Sequence, residues 1–216
     1  MSPDTFPSEY FRRYDESDDF NFYTTPRMVV HIDDDAIATL TEFMRDNLPA
    51  TGGALLDLMS SWRSHLPQEL PFTRVVGLGM NQAEMDENPQ LTEVVVHSLN
   101  QQPALPFGDA EFDAAVCTVS VQYLTQPVEV FREVARVLKP GAPFIVSFSN
   151  RCFPTKAVAI WQSTDDKQHM ELVARYFALA GGWQNIQAQY KNGKRNLFGI
   201  GGGSDPLFIV WAVRAE

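Results

Sequence analysis

The sequence predicts an α/β fold: a mostly parallel seven-stranded sheet with an antiparallel last strand and helices on both faces. Two observations carry that reading. Short apolar strand runs alternate with helical patterns through the middle of the chain, and the chain finishes as a β-hairpin. The 216 residues divide into an N-terminal arm and helix over 1–50 and a single domain over 51–216.

The elements follow in order. Residues 1–32 form an acidic, aromatic-rich arm without clear periodicity, but Tyr10, Phe11, Tyr14, Phe20, Phe22 and Tyr23 are too many rings for a solvated tail, so the arm is expected to pack. Asp33 is placed to cap a helix whose Ile37, Leu40, Met44 and Leu48 recur at spacings of three and four, ending at Pro49 and Gly52-Gly53. Strands are expected at 54–58, 74–78, 93–97, 112–118 and 142–149. After the first, Pro67 suits a helix's first turn, so a short, late-starting helix is expected there. After the fourth, Pro127 opens a helix, Lys139-Pro140-Gly141 stops it, and Val130, Phe131, Val134, Val137 and Leu138 form its apolar stripe. A short helix near 156–162 and a longer one over 165–180 precede the hairpin strands 184–190 and 207–213, joined through a mobile GIGGGSDP loop.

Composition narrows the function. A formal charge of −10 gives no basic footprint for nucleic acid, no apolar run reaches the length of a membrane span, and the opening residues lack targeting character. Cys117 and Cys152, both in apolar contexts, read as buried reduced thiols. The expectation is a cytoplasmic protein that meets a small-molecule substrate, with no nucleic acid or membrane partner; the oligomeric state stays open.

ALPFGDAEFDAAVCTVSVQYL (104–124) followed by PVEVFREVARVLKPGAPFIVSFSN (127–150) resembles the core of class I S-adenosylmethionine-dependent methyltransferases, of the type 11 kind that acts on small molecules. The resemblance covers 54–150 and implies the Rossmann-like methyltransferase fold, S-adenosyl-L-methionine (AdoMet) as cofactor and methyl transfer by in-line displacement. DLMSSWRSHLP, GLGMN, NRCFPTKAVAIW and the arm's FYTTPRMVVHIDD further resemble a divergent branch of that family.

The departures lie in the cofactor motifs. The family's first strand ends in an acid and enters a GxGxG turn; Asp57 is kept, but Met59, Ser61 and Arg63 stand at the glycine positions. Gly79 stands where the second strand should end in a ribose-binding acid. Losing one charged hydrogen bond costs about 1.5–3 kcal/mol, which takes a micromolar site to on the order of 10–100 μM. The expected cofactor residues are therefore Asp57 (accepting from the turn amides), Met59, Ser60, Ser61, Gly79 (leaving room for the ribose), Met80 (against adenine), Asn81 with Glu84 behind it, Asn100 or a neighbouring Gln (where the family's third strand brings an acid to the adenine amine), Val119 and Ser120. Tyr123 and His31 are the catalytic candidates, and Tyr23, Arg27 and Arg151 the substrate candidates, with Lys156 a further cation for an acidic acceptor. His65 joins His31 over the site, whereas His169 is expected on a solvated face. No histidine or cysteine shows metal-ligand spacing. Two other readings compete: a catalytically inactive methyltransferase-like binding or regulatory protein, and a nucleotide or NAD binder, the latter lacking both GxGxxG and the acid. A cavity between the 59–63 turn, Gly79 and Ser120 would mark a cofactor site; Met59 or Trp62 filling it would mark an inert one.

Overall fold

A computed structural model describes residues 6–191 and 204–216. The strands are β1 (Gly53–Leu58), β2 (Phe72–Gly79), β3 (Glu93–Val96), β4 (Ala114–Thr118), β5 (Pro143–Phe148), β6 (Trp183–Lys191) and β7 (Leu207–Arg214). They form one seven-stranded sheet in the order β3-β2-β1-β4-β5-β7-β6. β1 to β5 pair in parallel, and β7 runs antiparallel to both β5 and β6. Strand order reverses between β1 and β4, so the sheet opens a crevice at their carboxyl ends, the place where open α/β sheets bind ligands.

The period-2 alternation of each strand sorts the core into two layers. Leu56 and Leu58 of β1, Ala115 and Cys117 of β4, and Phe144, Val146 and Phe148 of β5 face one side. There helices α4 (Pro127–Val137) and α6 (Asp166–Ala180) cover them. Phe131 is fully buried with its ring 5.1 Å from Phe144 and 4.7 Å from Phe177. Leu55, Val75, Val116 and Ile145 face the other side, under α2 (Asp34–Asn47). Local signals set the helix ends: the Asp33 carboxylate accepts from the Ala36 amide at 2.9 Å, Pro127 opens α4, and Asp165 with Gln168 forms a capping box on α6.

Several expectations are corrected. No helix follows β1: residues 59–71 run as turns, because Pro67 and Pro71 interrupt the segment and Met59 (φ 58°) and His65 (φ 57°) are left-handed. A short helix, α3 (Gln82–Asp86), sits instead after β2, capped by Asn81; at five residues it is too short for an apolar period to announce. The fourth strand starts at Ala114, Phe112 making only an isolated bridge to Leu138. His169 is buried, not solvated: its ring stacks on Trp161 at 4.0 Å and its Nε2 lies 2.8 Å from the Trp161 carbonyl. Cys117 is buried, its thiol pushed up to about 12 by burial, whereas Cys152 is only half-buried. The loop expected through GIGGGSDP lies outside the described residues as far as Gly203. Among the described residues, no helix is long and apolar enough to cross a membrane, and no cluster of three His, Cys, Asp or Glu could hold a metal.

The arm packs as its rings suggest, but charge fixes it. A 3₁₀ turn (Ser8–Phe11) brings Phe6 and Phe11 against Tyr176, and α1 (Asp19–Tyr23) follows. Buried Asp19 accepts both Arg13 Nη1 bonds at 2.7 and 2.8 Å and lies 3.2 Å from the Lys156 ammonium. Lys156 is fully buried and also 3.1 Å from Asp15. It anchors the arm and is not available to an acceptor.

Candidate functional site at the carboxyl ends of β1, β2 and β4

A cavity of about 120 Å³ lies in the crevice at the strand ends. The 59–61 turn, Gly79, Met80, Asn81, Glu84, Ser98 to Asn100, Val119, Ser120, Tyr123 and Leu124 contribute to its wall. The arm closes the opposite side with Arg13, Asp19, Tyr23, Arg27 and His31, and Phe153 completes it. Met59 and the serines thus border the space without filling it, and Trp62 does not line it. The volume is below the roughly 300–1,000 Å³ of most ligand pockets, because the arm is folded over the mouth.

The turn after β1 is organised by Asp57. Its carboxylate accepts the hydroxyls of Ser60 and Ser64, each at 2.6 Å, where turn amides had been expected. Burial raises its pKa from 3.8 to about 6, and the two hydroxyls oppose that rise. Asp57 lines not the main cavity but a smaller chamber beside it, with His31, Trp62, His65, Thr118 and Val119. His31 and His65 therefore do share a wall, and desolvation lowers the pKa of both imidazoles. Arg27 adds to the lowering at His31 and Glu84 opposes it. Val119, a β-branched residue at φ 52°, marks strain where β4 enters the site.

The second strand explains its own glycine. A Cβ on Gly79 would lie 2.3 Å from the Ser60 carbonyl oxygen and 2.9 Å from Met85 Sδ. The space beside Gly79 is therefore taken by the turn after β1, which also donates the Ser60 amide to the Leu78 carbonyl at 2.9 Å. Gly79 nevertheless lines the cavity. Asn81 is engaged as well, capping α3 through Glu84 N at 3.1 Å and donating to the Tyr23 carbonyl at 2.7 Å. Asn100 donates to Asp19 and the Tyr123 carbonyl and accepts from Thr125, which leaves it little capacity for adenine.

At the strand ends, the acid that faces the cavity is Glu84. It is buried, and its two oxygens each accept one bond: from the Arg27 amide at 2.7 Å and from Ser61 Oγ at 2.6 Å. A carboxylate has about four acceptor positions, so each oxygen retains capacity. The sequence places it behind Asn81; the short helix α3 after β2 is what brings it to the cavity wall. Arg13, Asp19 and Phe153 were not expected at the site, and no local pattern in the sequence announces them.

The Tyr123 hydroxyl accepts the Phe153 amide at 2.9 Å, its ring stacks on Phe153, and burial pushes its pKa up to about 12. Ser120 is buried and gives its hydroxyl to the Thr118 carbonyl at 2.9 Å. Arg151 stands outside the cavity, paired with Asp205 at 2.8 Å.

Residues 64–146 match the family model described as a methyltransferase domain, a match that begins just past the 59–63 turn. The fold is that of the class I S-adenosylmethionine-dependent methyltransferases. A chain of the complex between the Haloferax volcanii Trm112 methyltransferase activator and a methyltransferase superposes with a TM-score of 0.60 at 14% identity, covering 84% of this chain and 89% of that one. Haemonchus contortus phosphoethanolamine N-methyltransferase 2, solved with S-adenosyl-L-methionine, superposes with a TM-score of 0.55 at 13% identity over 83% of this chain and 52% of its own. Among curated proteins, the biotin biosynthesis bifunctional protein BioHC of Teredinibacter turnerae is 25% identical over 148 residues, 62% of this chain. The chain spans about a quarter of that relative's length. The chain thus has the fold of solved S-adenosylmethionine-dependent methyltransferases, and its residues 64–146 match a methyltransferase domain.

Proposed function

We propose that the protein transfers a methyl group from AdoMet to a small-molecule acceptor, in a cofactor site rebuilt around Glu84. The observation that carries this reading is the Glu84 carboxylate, buried in the cavity wall with acceptor capacity left on both oxygens. A pair of ribose hydroxyls needs such an acceptor, and Gly79 cannot supply it. Leu78, Met80 and Leu99 give the apolar walls a purine needs, and Ser98 and Ser120 add hydroxyls. These residues fit the cofactor, with Glu84 holding the ribose and Met80 against the base.

AdoMet supplies a methyl group already activated on a sulfonium, so no covalent intermediate with the protein is needed. What the chain contributes is alignment and dryness. The strained Val119 and buried Ser120 set the end of β4, where donor and acceptor would meet. Tyr123 positions the 153 loop through its hydroxyl and stacked ring. His31, whose imidazole is held below the ordinary 6.5, is the base for an acceptor that must lose a proton. The arm acts as a lid over the site, held by Asp19, and opens to admit a ligand larger than the present cavity.

Calorimetric titration of Glu84→Gln and Asn81→Ala with S-adenosylhomocysteine tests the assignment. A loss of about 10- to 100-fold in the Glu84 variant, larger than in the Asn81 variant, supports it; equal affinity in wild type and Glu84→Gln sinks it. One observation favours the inert alternative, the engagement of Asn100 by Asp19 at the adenine position. That reading predicts no binding of either sulfur cofactor.

A further inference from the structure

Of the three cations considered for an acidic acceptor, two have partners: Arg151 holds Asp205, and Lys156 lies between Asp15 and Asp19. The third, Arg27, lines the cavity, and its guanidinium forms no ion pair among the described residues. Its polar contact is a long one, Nη1 to the Thr25 carbonyl at 3.5 Å. Glu84 meets Arg27 through the backbone amide and not through the guanidinium. In a chain with 27 acids to 17 bases, a cation inside a cavity wall without a carboxylate is conspicuous.

The guanidinium is nevertheless held. Its Cζ lies 4.4 Å from the Phe22 ring centroid and 5.8 Å from that of Phe153. Stacking on aromatic faces orients the fork while leaving its N–H edge free for a planar, two-oxygen anion. Tyr23, Tyr123 and Phe153 stand around the same space. We infer that Arg27 anchors a carboxylate on the methyl acceptor, and that the acceptor is a small carboxylic acid with a flat apolar body lying along these rings. The inference rests on reading the cavity as the AdoMet site. It assigns the carboxylate to the acceptor and not to the amino-acid end of the cofactor, because Arg27 belongs to the wall built by the arm and Phe153, not to the strand ends.

The test uses the full chain saturated with S-adenosylhomocysteine and two probes of one shape, benzoate and the uncharged benzamide. Calorimetry is expected to show saturable benzoate binding at least tenfold tighter than that of benzamide. Arg27→Gln should abolish the preference, and Arg27→Lys should restore part of it. Benzoate and benzamide binding alike, or a preference that survives Arg27→Gln, overturns the inference. A second arm compares S-adenosylhomocysteine with 5′-methylthioadenosine, which lacks the amino-acid carboxylate. If Arg27→Gln weakens the first and spares the second, the carboxylate belongs to the cofactor, and the inference also falls. Should S-adenosylhomocysteine not bind at all, the cofactor reading alone fails. The benzoate–benzamide comparison on the unloaded chain then decides the role of Arg27. Retained S-adenosylhomocysteine affinity or an unchanged Tm shows that each variant is folded.

Discussion

The sheet core and the arm that closes the site are held by different physics. Between α4, α6 and the sheet, the contacts are apolar: Phe131, Phe144, Tyr176 and Phe177 meet edge to face with no charge among them. The arm is pinned instead by a buried cluster of Arg13, Asp19, Lys156 and Asp15. Apolar packing gives the scaffold its stability in proportion to area. A charge cluster is weak as a source of stability but costly to break at one member, which makes it suited to holding a cover in one register.

That contrast can be broken from the core side first. Phe131→Ala should cost about 3–5 kcal/mol and lower the Tm by roughly 10 °C, with all regions unfolding together. Asp19→Ala leaves Arg13 and Lys156 buried without their shared carboxylate, an expected local cost of about 3–5 kcal/mol. Hydrogen exchange should then accelerate over residues 8–27 while the amides of β1, β4 and β5 stay protected. Equal acceleration in the central strands would show that the arm is part of the core and not a separate cover.

Asp57 sharpens the comparison, being a charge buried under the scaffold with hydroxyl partners alone. Its folded pKa, about 6, lies above the ordinary 3.8. Between those values the folded chain binds more protons than the unfolded one, so this group's contribution favours folding below pH 4 and is lost as pH rises through 6. Asp57→Asn keeps an acceptor for Ser60 and Ser64 and removes the titration. Wild type should therefore lose about 2–3 kcal/mol relative to the variant between pH 4 and pH 7, read by urea unfolding at the two pH values. A constant difference between the two would refute the elevated pKa. Gly79→Ala comes next, at about 1–3 kcal/mol, because its Cβ meets the Ser60 carbonyl and pushes the turn off β2. The smallest effect is expected on the surface: Lys167→Ala, whose pair with Glu171 is almost fully solvated, should leave the Tm unchanged.

The scaffold was legible because its signals are local. Apolar runs such as Leu55–Leu58 and Phe144–Phe148, the Pro127 opening of α4 and the RVLKPG close each state their element within a few residues. The site was legible only in part. Met59, Ser60, Ser61, Met80 and Ser120 come from strand ends, whose place in the crevice follows from topology. The roles of Gly79, Asn100 and Arg27 depend on partners far along the chain. Ser60 folds back on Gly79, Asp19 reaches Asn100 across 81 residues, and Glu84 takes the Arg27 amide across 57. No periodicity records such contacts. His169 was misplaced for the same reason, since its partner Trp161 lies on the preceding helix, α5 (Ala159–Gln162).

The central claim is that the turn after β1 is a rebuilt cofactor site whose ribose acid is Glu84. Calorimetric titration of the wild-type chain with S-adenosylhomocysteine, with NAD as control, tests it most directly. The account predicts binding at no weaker than a few hundred micromolar, none for NAD, and a loss of about 10- to 100-fold in Glu84→Gln. An absence of heat with S-adenosylhomocysteine, or binding indifferent to Glu84, would contradict it.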